Sequence, residues 1–419
     1  MCLVYWQLIL KPMRQIRIPA VFTLAFAVML VTAYDISGVI AAEKAGARSF
    51  NRSLALEDAA YTSANVSLGD VNGDGHLDVI LVKGRHWPLQ NQVRLGDGKG
   101  VFTAAASVGP GPDRSYTGAL VDLDGDGDLD MIVSNDSPDP KRVLHNDGNG
   151  SFTEVQQFGT PDWNTRHVSV ADLNGDGRPD VIAANRGGPM GTESFVCFGV
   201  ASGLLQNPCT VVYRGSATTI TPADMDADGD LDLVIPHRDG GQSELRLNNG
   251  EGAFMERETF GPKGVGYRSA AVADFDGDGL MDIAVIAPGS RTGIETQGPD
   301  GGSGVIAAPR RGVFYGRSDA GFESLTLLSE SAERPYSILA KDVDGDGRID
   351  LVVGHVEARP VVWFNEGLRG FTPVSFGEAK GTAYGFAVND LDGDGFMDIV
   401  VARSDAPNMI YFGSADPSD

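Results

Sequence analysis

Residues 70–78 read DVNGDGHLD, and the same nine-residue pattern, D-x-[DN]-x-D-G-x-x-D, returns six more times along the 419 residues. The later copies begin at Asp122, Asp172, Asp224, Asp274, Asp342 and Asp390, at intervals of 52, 50, 52, 50, 68 and 48 residues. A period of this length marks repeats that are each one supersecondary unit, unable to bury an apolar face without neighbours. Seven such units point to a ring.

Aspartates at alternate positions of a tight turn aim their carboxylates at one point, which mutual repulsion forbids unless a cation sits there. Calcium suits the pattern because it takes six to eight hard oxygen ligands at irregular angles, whereas magnesium demands octahedral geometry and gives up its waters reluctantly. The first loop offers Asp70, Asn72, Asp74 and Asp78, with the carbonyl of His76. The second offers Asp122, Asp124, Asp126 and Asp130; the third Asp172, Asn174, Asp176 and Asp180; the fourth Asp224, Asp226, Asp228 and Asp232. The fifth offers Asp274, Asp276, Asp278 and Asp282; the sixth Asp342, Asp344, Asp346 and Asp350; the seventh Asp390, Asp392, Asp394 and Asp398. Position six is glycine in all seven, as a sharp reversal with positive φ favours. Up to seven Ca²⁺ are expected.

An EF-hand shares the first half of this pattern but needs a bidentate Glu at position twelve. These loops carry Leu81, Val133, Ala183, Ile235, Val285, Val353 and Val401 there, inside short apolar runs that read as buried strands. Further on, each unit shows an apolar strand, an Asn/Gly turn and often Gly-x-Phe leading into another strand, as in residues 93–104 and 143–155. Four short strands per unit are the content of one propeller blade. The chain stops one strand short after residues 409–412, and residues 47–56 look like the missing outer strand. The expectation is an all-β, seven-bladed β-propeller with four-stranded blades, closed by pairing N-terminal and C-terminal strands, which removes a free sheet edge.

The loops resemble those of FG-GAP and VCBS repeats, a family that includes integrin α-subunit propellers and many secreted proteins. The resemblance covers residues 43–419 nearly throughout and implies that each calcium loop joins the first and second strands of a blade at one face. Second-to-third and blade-to-blade connections then lie on the other face. The chain departs from integrins in lacking a Gly-Ala-Pro element, although Phe-Gly pairs occur at Phe158, Phe198, Phe260 and Phe376. Integrin-type receptor function does not carry over.

Residues 1–42 hold Lys11, Arg14 and Arg17, then an apolar run over 18–33, then small residues near Ala41 and Ala42. This reads as a secretory signal; a short membrane anchor is the alternative, though sixteen apolar residues are few for a span. A secreted, extracellular or periplasmic protein follows, with no stable membrane span after cleavage. Cys197 and Cys209 flank a hairpin turn and are either bridged in an oxidising compartment or two reduced core thiols. The formal charge is −24, yet 26 of the 57 acidic residues are loop ligands, and seven divalent ions would bring it to −10. Nothing here favours nucleic acid.

If the loops occupy one face, residues six before each loop ring the other: Ala64, Tyr116, Arg166, Thr218, Arg268, Tyr336 and Tyr384. Five after each loop stand Lys83, Asn135, Asn185, His237, Ala287, His355 and Arg403, with His86, Trp87, Trp163, His167, Arg334 and Arg359 nearby. Tyr116, Arg166, His167, His237, Arg268, Tyr336, His355, Tyr384 and Arg403 are therefore the candidate ligand-binding residues. Aromatic faces stack on sugar rings and arginines pair with carboxylate or sulfate; polar loops that merely pack at strand ends are the plainer explanation. The leading expectation is a secreted calcium-binding binding or adhesion module for a carbohydrate, an anionic ligand or a protein. The alternative is a propeller-fold polysaccharide lyase or other carbohydrate-active enzyme, with His167, His237, Tyr336 or Arg268 as the candidates for its proton transfers. No catalytic pair is singled out, and no nucleophile motif, phosphate loop or zinc signature is present. Residues 289–311 lengthen one loop of the fifth unit, as a lid or a tolerated insertion.

Overall fold

The apolar run that follows each acidic loop becomes the second strand of an antiparallel sheet, and its residues are buried on both faces. Residues 78–83, 130–135, 180–185, 282–287 and 350–355 are buried without exception. The middle of each run is apolar because each sheet packs against a neighbour on either side. The computed structural model describes residues 48–187, 192–289, 294–297, 303–306, 310–319, 321–329 and 331–416. The N-terminal signal or anchor expected over residues 1–42 lies outside these.

The described residues are all-β, built from four-stranded antiparallel sheets of the kind that form propeller blades, with no α-helix among them. The first sheet runs Tyr61–Gly69, Asp78–Lys83, Leu89–Gly96, Phe102–Asp113, and the second Ser115–Val121, Asp130–Asn135, Lys141–Asn146, Phe152–Phe158. The third is Thr165–Ala171, Asp180–Asn185, Glu193–Cys197, Thr210–Arg214, and the fourth Thr221–Ala223, Asp232–Ile235, Ser243–Leu247, Met255–Phe260. The fifth is Ser269–Ala273, Asp282–Ala287, Arg310–Phe314, Thr326–Leu327; the sixth is Pro335–Lys341, Asp350–His355, Val361–Gly367, Gly370–Ser375. The last group is Thr382–Asn389, Asp398–Ala406 and Met409–Tyr411, against which the N-terminal strand Ser53–Ala55 pairs, Leu54 opposite Ile410. Tyr61 and Thr62 also touch the end of Asp398–Ala406, joining first and last sheets into one ladder.

Apolar clusters sit between consecutive sheets. Leu123, Ile132 and Val143 of the second pack on Val181 and Ala183 of the third, and Val79 and Leu81 of the first pack on Val400 and Ile410 of the last. Cys197 and Cys209 face each other across the third and fourth strands of the third sheet and are disulfide-bonded, so the reduced alternative does not hold here. Part of the 289–311 segment is itself a hairpin, Ile294–Gln297 on Ser303–Ile306, rather than a structureless loop.

Neighbouring units are also tied by polar contacts beside the loops. Asn146, Asn248 and Asn365 stand at or near the ends of the third strands of the second, fourth and sixth sheets. Each donates from Nδ2 to a carbonyl in the preceding unit's acidic loop (Val71, Leu173 and Phe275) at 2.7–2.9 Å. The same amide reaches its own loop's Leu129, Leu231 or Ile349 carbonyl. In odd-numbered sheets the position is glycine, and at Gly96 a Cβ would stand 2.2 Å from the Leu77 carbonyl oxygen.

Candidate functional site: acidic loops and an arginine–tyrosine mouth

Each acidic loop joins the first and second strands of its sheet, and position-six glycines hold φ between 79 and 96°. The ninth-position aspartate has a role that the ligand pattern does not reveal. Asp78 opens a buried strand; its Oδ2 accepts the N–H of Val71 at 2.9 Å and its Oδ1 accepts that of Gly96, on the third strand, at 2.9 Å. Asp130, Asp180, Asp232, Asp282, Asp350 and Asp398 repeat the pair of bonds at 2.7–3.0 Å. The carboxylate thus staples the loop to the sheet while turning toward its fellow aspartates.

Those fellows converge. One oxygen from each of Asp224, Asp226 and Asp232 lies within 4.8 Å of the others, and the trios Asp274, Asp276, Asp282 and Asp342, Asp344, Asp350 do the same. Burial, with a smaller push from neighbouring carboxylates, lifts Asp232 and Asp282 to about 6 and Asp350 and Asp398 to about 7. In the fourth loop the buried Oδ1 of Asp224 has no hydrogen-bond partner. In five of the other loops that oxygen accepts the position-four N–H, from Gly73, Gly125, Gly277, Gly345 and Gly393; the fourth loop has Ala227 there instead, at φ 61°. Converging carboxylate oxygens and an orphaned acceptor are groups that could hold a hard divalent cation.

The loops are not equivalent, because basic groups reach the third-position carboxylate in several. Arg369 Nε bonds Asp276 at 2.8 Å, Arg48 Nε bonds Asp344 at 2.9 Å, and Arg52 bonds Asp392. His145 lies 3.3 Å from Asp124, and the first and third loops carry the neutral Asn72 and Asn174. Among the described residues only the fourth loop, with Asp226, has a third-position carboxylate and no basic partner on it.

At the opposite end of each first strand the chain takes an irregular step. The pairing register skips Ala64, Tyr116, Arg166, Tyr336 and Tyr384, each the extra residue of a β-bulge. Bulges re-aim a side chain out of the ladder, and here they aim it inward. These five, together with Thr218, Arg268 and His167, line one cavity of about 220 Å³ to which all seven sheets contribute. A smaller cavity of about 30 Å³ shares Tyr116, Arg166, Thr218, Arg268, Tyr336 and Tyr384 with it and adds Arg85, His86 and Arg186.

The mouth is organised by guanidinium groups lying on phenol rings. Arg268 Cζ is 3.6 Å from the Tyr336 ring centre, Arg85 Cζ is 3.8 Å from that of Tyr384, and Arg166 Cζ is 4.3 Å from that of Tyr116. Tyr336 and Tyr384 meet edge to face at 4.7 Å. Two carboxylates balance part of the charge: Asp136 accepts from Arg166 at 2.7 Å and lies 3.2 Å from His86, while Asp239 pairs with Arg186 at 3.1 Å and Arg238 at 3.7 Å. Five arginines against two aspartates leave three positive charges in excess. Burial and like-charge neighbours push Arg238 down to about 10. Burial alone would raise the Tyr336 phenol, but Arg268 and the hydrogen bond with Tyr384 outweigh it and bring it well below the ordinary range, while Tyr384 rises.

The expected site residues divide. Tyr116, Arg166, His167, Arg268, Tyr336 and Tyr384 line the cavity; His237, His355 and Arg403 do not. His237 bonds the Tyr213 hydroxyl, His355 is buried between Arg311 Nη1 at 2.7 Å and the Arg359 carbonyl at 2.8 Å, and Arg403 caps the Pro407 carbonyl at 2.7 Å. The second-strand register is displaced by a residue or two: Lys83, Asn135 and Asn185 turn into the sheet interior, whereas Arg85, Asp136, Arg186 and Arg238 turn to the mouth. Side chains alternate faces along a strand, so a one-residue shift exchanges the whole set. His167, pushed down to about 4 by burial, lies 3.3 Å from Ser169 Oγ through its Nδ1.

The FG-GAP-like repeat model matches residues 70–133, 122–183, 224–285 and 313–401, and the FG-GAP repeat model matches 266–308. Among curated proteins, mouse phosphatidylinositol-glycan-specific phospholipase D is 32% identical over 169 residues, 34% of this chain but 19% of that protein. The human enzyme is 28% identical over 192 residues, 40% of this chain and 21% of its own length. The match therefore spans about a fifth of these relatives. Among solved structures, an Agrocybe aegerita lectin described for specific recognition of non-reducing terminal N-acetylglucosamine superposes with TM-score 0.51 at 17% identity, covering 83% of this chain and 87% of the lectin. BBS1N, solved in complex with ARL6DN, gives 0.52 at 13% identity, covering 88% and 98%. With repeat matches over most of its described length, and the acidic loops that carry them, the chain belongs to the FG-GAP-like repeat family.

Proposed function

We propose that this is a secreted calcium-binding β-propeller whose seven blades close into a ring through the pairing of Ser53–Ala55 with Met409–Tyr411. On this reading it is a binding or adhesion module, and its ligand, a carbohydrate or an anionic group on a larger molecule, docks at the face opposite the acidic loops. One observation carries the reading: residues from all seven repeats converge on two overlapping cavities rich in arginine at the far ends of the loop-bearing strands. Binding groups held on a rigid scaffold are the usual way such folds acquire function.

Calcium would be held by the first-, third-, fifth- and ninth-position side chains, neutralising charge that otherwise strains the loops. The Cys197–Cys209 bridge favours an oxidising compartment, extracellular or periplasmic. A lectin of like fold makes sugars the first ligand class to test. Whole-protein activity of the phospholipase D relatives is not assumed for a match to a fifth of their length.

The test is a glycan array probed with calcium-loaded protein and with Tyr384→Ala. Binding to a defined glycan class, lost in the variant, supports the reading; a ligand bound equally by both refutes it. The lyase alternative keeps one observation, the 3.1 Å contact between Tyr116 Oη and His86 Nε2 at a mouth that also holds the acidified Tyr336. Release of unsaturated uronate from acidic polysaccharides is its readout.

A further inference from the structure

The mouth holds more hydrogen-bond donors than the protein satisfies. Buried Arg85 Nε, Arg166 Nε, Arg238 Nη1 and Thr218 Oγ1 have no partner within the described structure. Buried polar groups are normally paired, and buried charges are paired or bound to a counter-ion. Arg268 is 9% exposed, donates to the Tyr336 carbonyl at 2.6 Å and has no carboxylate partner among the described residues; neither has Arg85. Arg85 and Arg166 also sit over the rings of Tyr384 and Tyr116, which offer a guanidinium no N–H acceptor at its edge.

We propose that this mouth is a receptor for a tetrahedral oxyanion, the sulfate or phosphate ester group of a ligand whose remainder lies outside. The proposal rests on the reading that the ligand docks at this face. Three features select the chemistry. The guanidiniums come from the first, third, fourth and fifth sheets, so donors approach from several directions; a planar carboxylate offers one edge, whereas a sulfate or phosphate ester offers three divergent oxygens. The narrow cavity of about 30 Å³, lined by Arg85, Arg166, Arg186 and Arg268, suits the oxygens of a terminal group presented at it rather than a whole ligand. The field at the mouth already draws the Tyr336 phenol toward its anion. Trp87, two residues after Arg85 in the chain, is 69% exposed and offers an aromatic face to a sugar ring attached to the anion.

Calorimetry on the calcium-loaded protein tests this with four probes: sodium sulfate, glucose 6-sulfate, glucose 6-phosphate and glucuronate, each against sodium chloride at matched ionic strength. Sulfate and at least one ester are expected to bind at one site per chain, with glucuronate about tenfold weaker or more. The two esters distinguish a sulfated from a phosphorylated source. Arg85→Gln and Arg268→Gln are expected to weaken sulfate binding about tenfold or more. Arg214→Gln, an exposed outer-strand arginine, should bind as the parent does. Should Arg268→Gln not fold, Arg85→Gln carries the test, since Arg85 is only partly buried. Heats no different from chloride, glucuronate binding as tightly as the esters, or Arg85→Gln indistinguishable from the parent would each overturn the proposal. A glycan bound by the protein and lost in Trp87→Ala, yet indifferent to Arg85→Gln, would overturn the oxyanion receptor and leave the recognition face standing.

Discussion

Replacing Asp398 by asparagine and by alanine isolates the staple that a ninth-position aspartate makes. Its two oxygens accept N–H groups from Leu391 and Gly413, each at 2.8 Å, and the side chain is fully buried. Gly413 follows the strand on which Ser53–Ala55 pairs, so the bond pins the seam between the chain ends. Asparagine and alanine both remove the buried charge, so comparing the two leaves the hydrogen bonds: asparagine keeps one acceptor, alanine strands both backbone donors, and the second stranded donor costs about 1–3 kcal/mol. For a unit of this size the unfolding entropy is on the order of 0.8 kcal/mol/K, so Asp398→Ala should melt about 1–4 °C below Asp398→Asn. The assay is thermal unfolding in excess chelator at pH 8, where metal contributes nothing. Alanine melting with asparagine or above it would refute the staple.

Other consequences are measurable in the same way. Because burial raises Asp232, Asp282, Asp350 and Asp398 in the folded chain, their contribution is full below the ordinary carboxylate range and is lost as pH rises through 6 to 7. The chelated protein should therefore melt higher at pH 5 than at pH 8, and calcium should shrink that difference. Calcium titration followed by calorimetry should lose its tightest component in Asp224→Asn and keep it in Asp276→Asn, whose carboxylate already serves Arg369. Asn248→Ala removes the amide shared by the Leu173 and Leu231 carbonyls and should cost about 1–3 kcal/mol in unfolding experiments, even with calcium present.

How far the sequence could be read depended on whether a feature is local. The acidic loops were legible because their chemistry and their glycine requirement fall within nine residues, and the strands because each begins at the loop's last aspartate. Tyr116, Arg166, Arg268, Tyr336 and Tyr384 were legible as a ring because they share one spacing from the loops. The bulges that turn most of them inward leave no local mark, and so the second-strand register came out displaced, with His237, His355 and Arg403 where Arg85, Arg186 and Arg238 belong. Long-range partners were beyond reach altogether: Arg48 on Asp344 and Arg369 on Asp276 are 296 and 93 residues apart. The double bonding of Asp78 and its six counterparts was hidden for the opposite reason, since a metal-ligand reading already accounted for them.

Metal content and melting temperature, measured together on purified, undialysed protein, bear most directly on the idea that divalent ions hold these repeats together. With millimolar calcium and extracellular-type affinities of ~0.1–1 mM, each filled site adds about 0.4–1.4 kcal/mol, and seven add about 3–10 kcal/mol. The account predicts several calcium ions per chain and a melt that drops by about 4–12 °C in excess chelator. Metal-free protein that is fully folded, with an unchanged melt on adding either chelator or calcium, would contradict it.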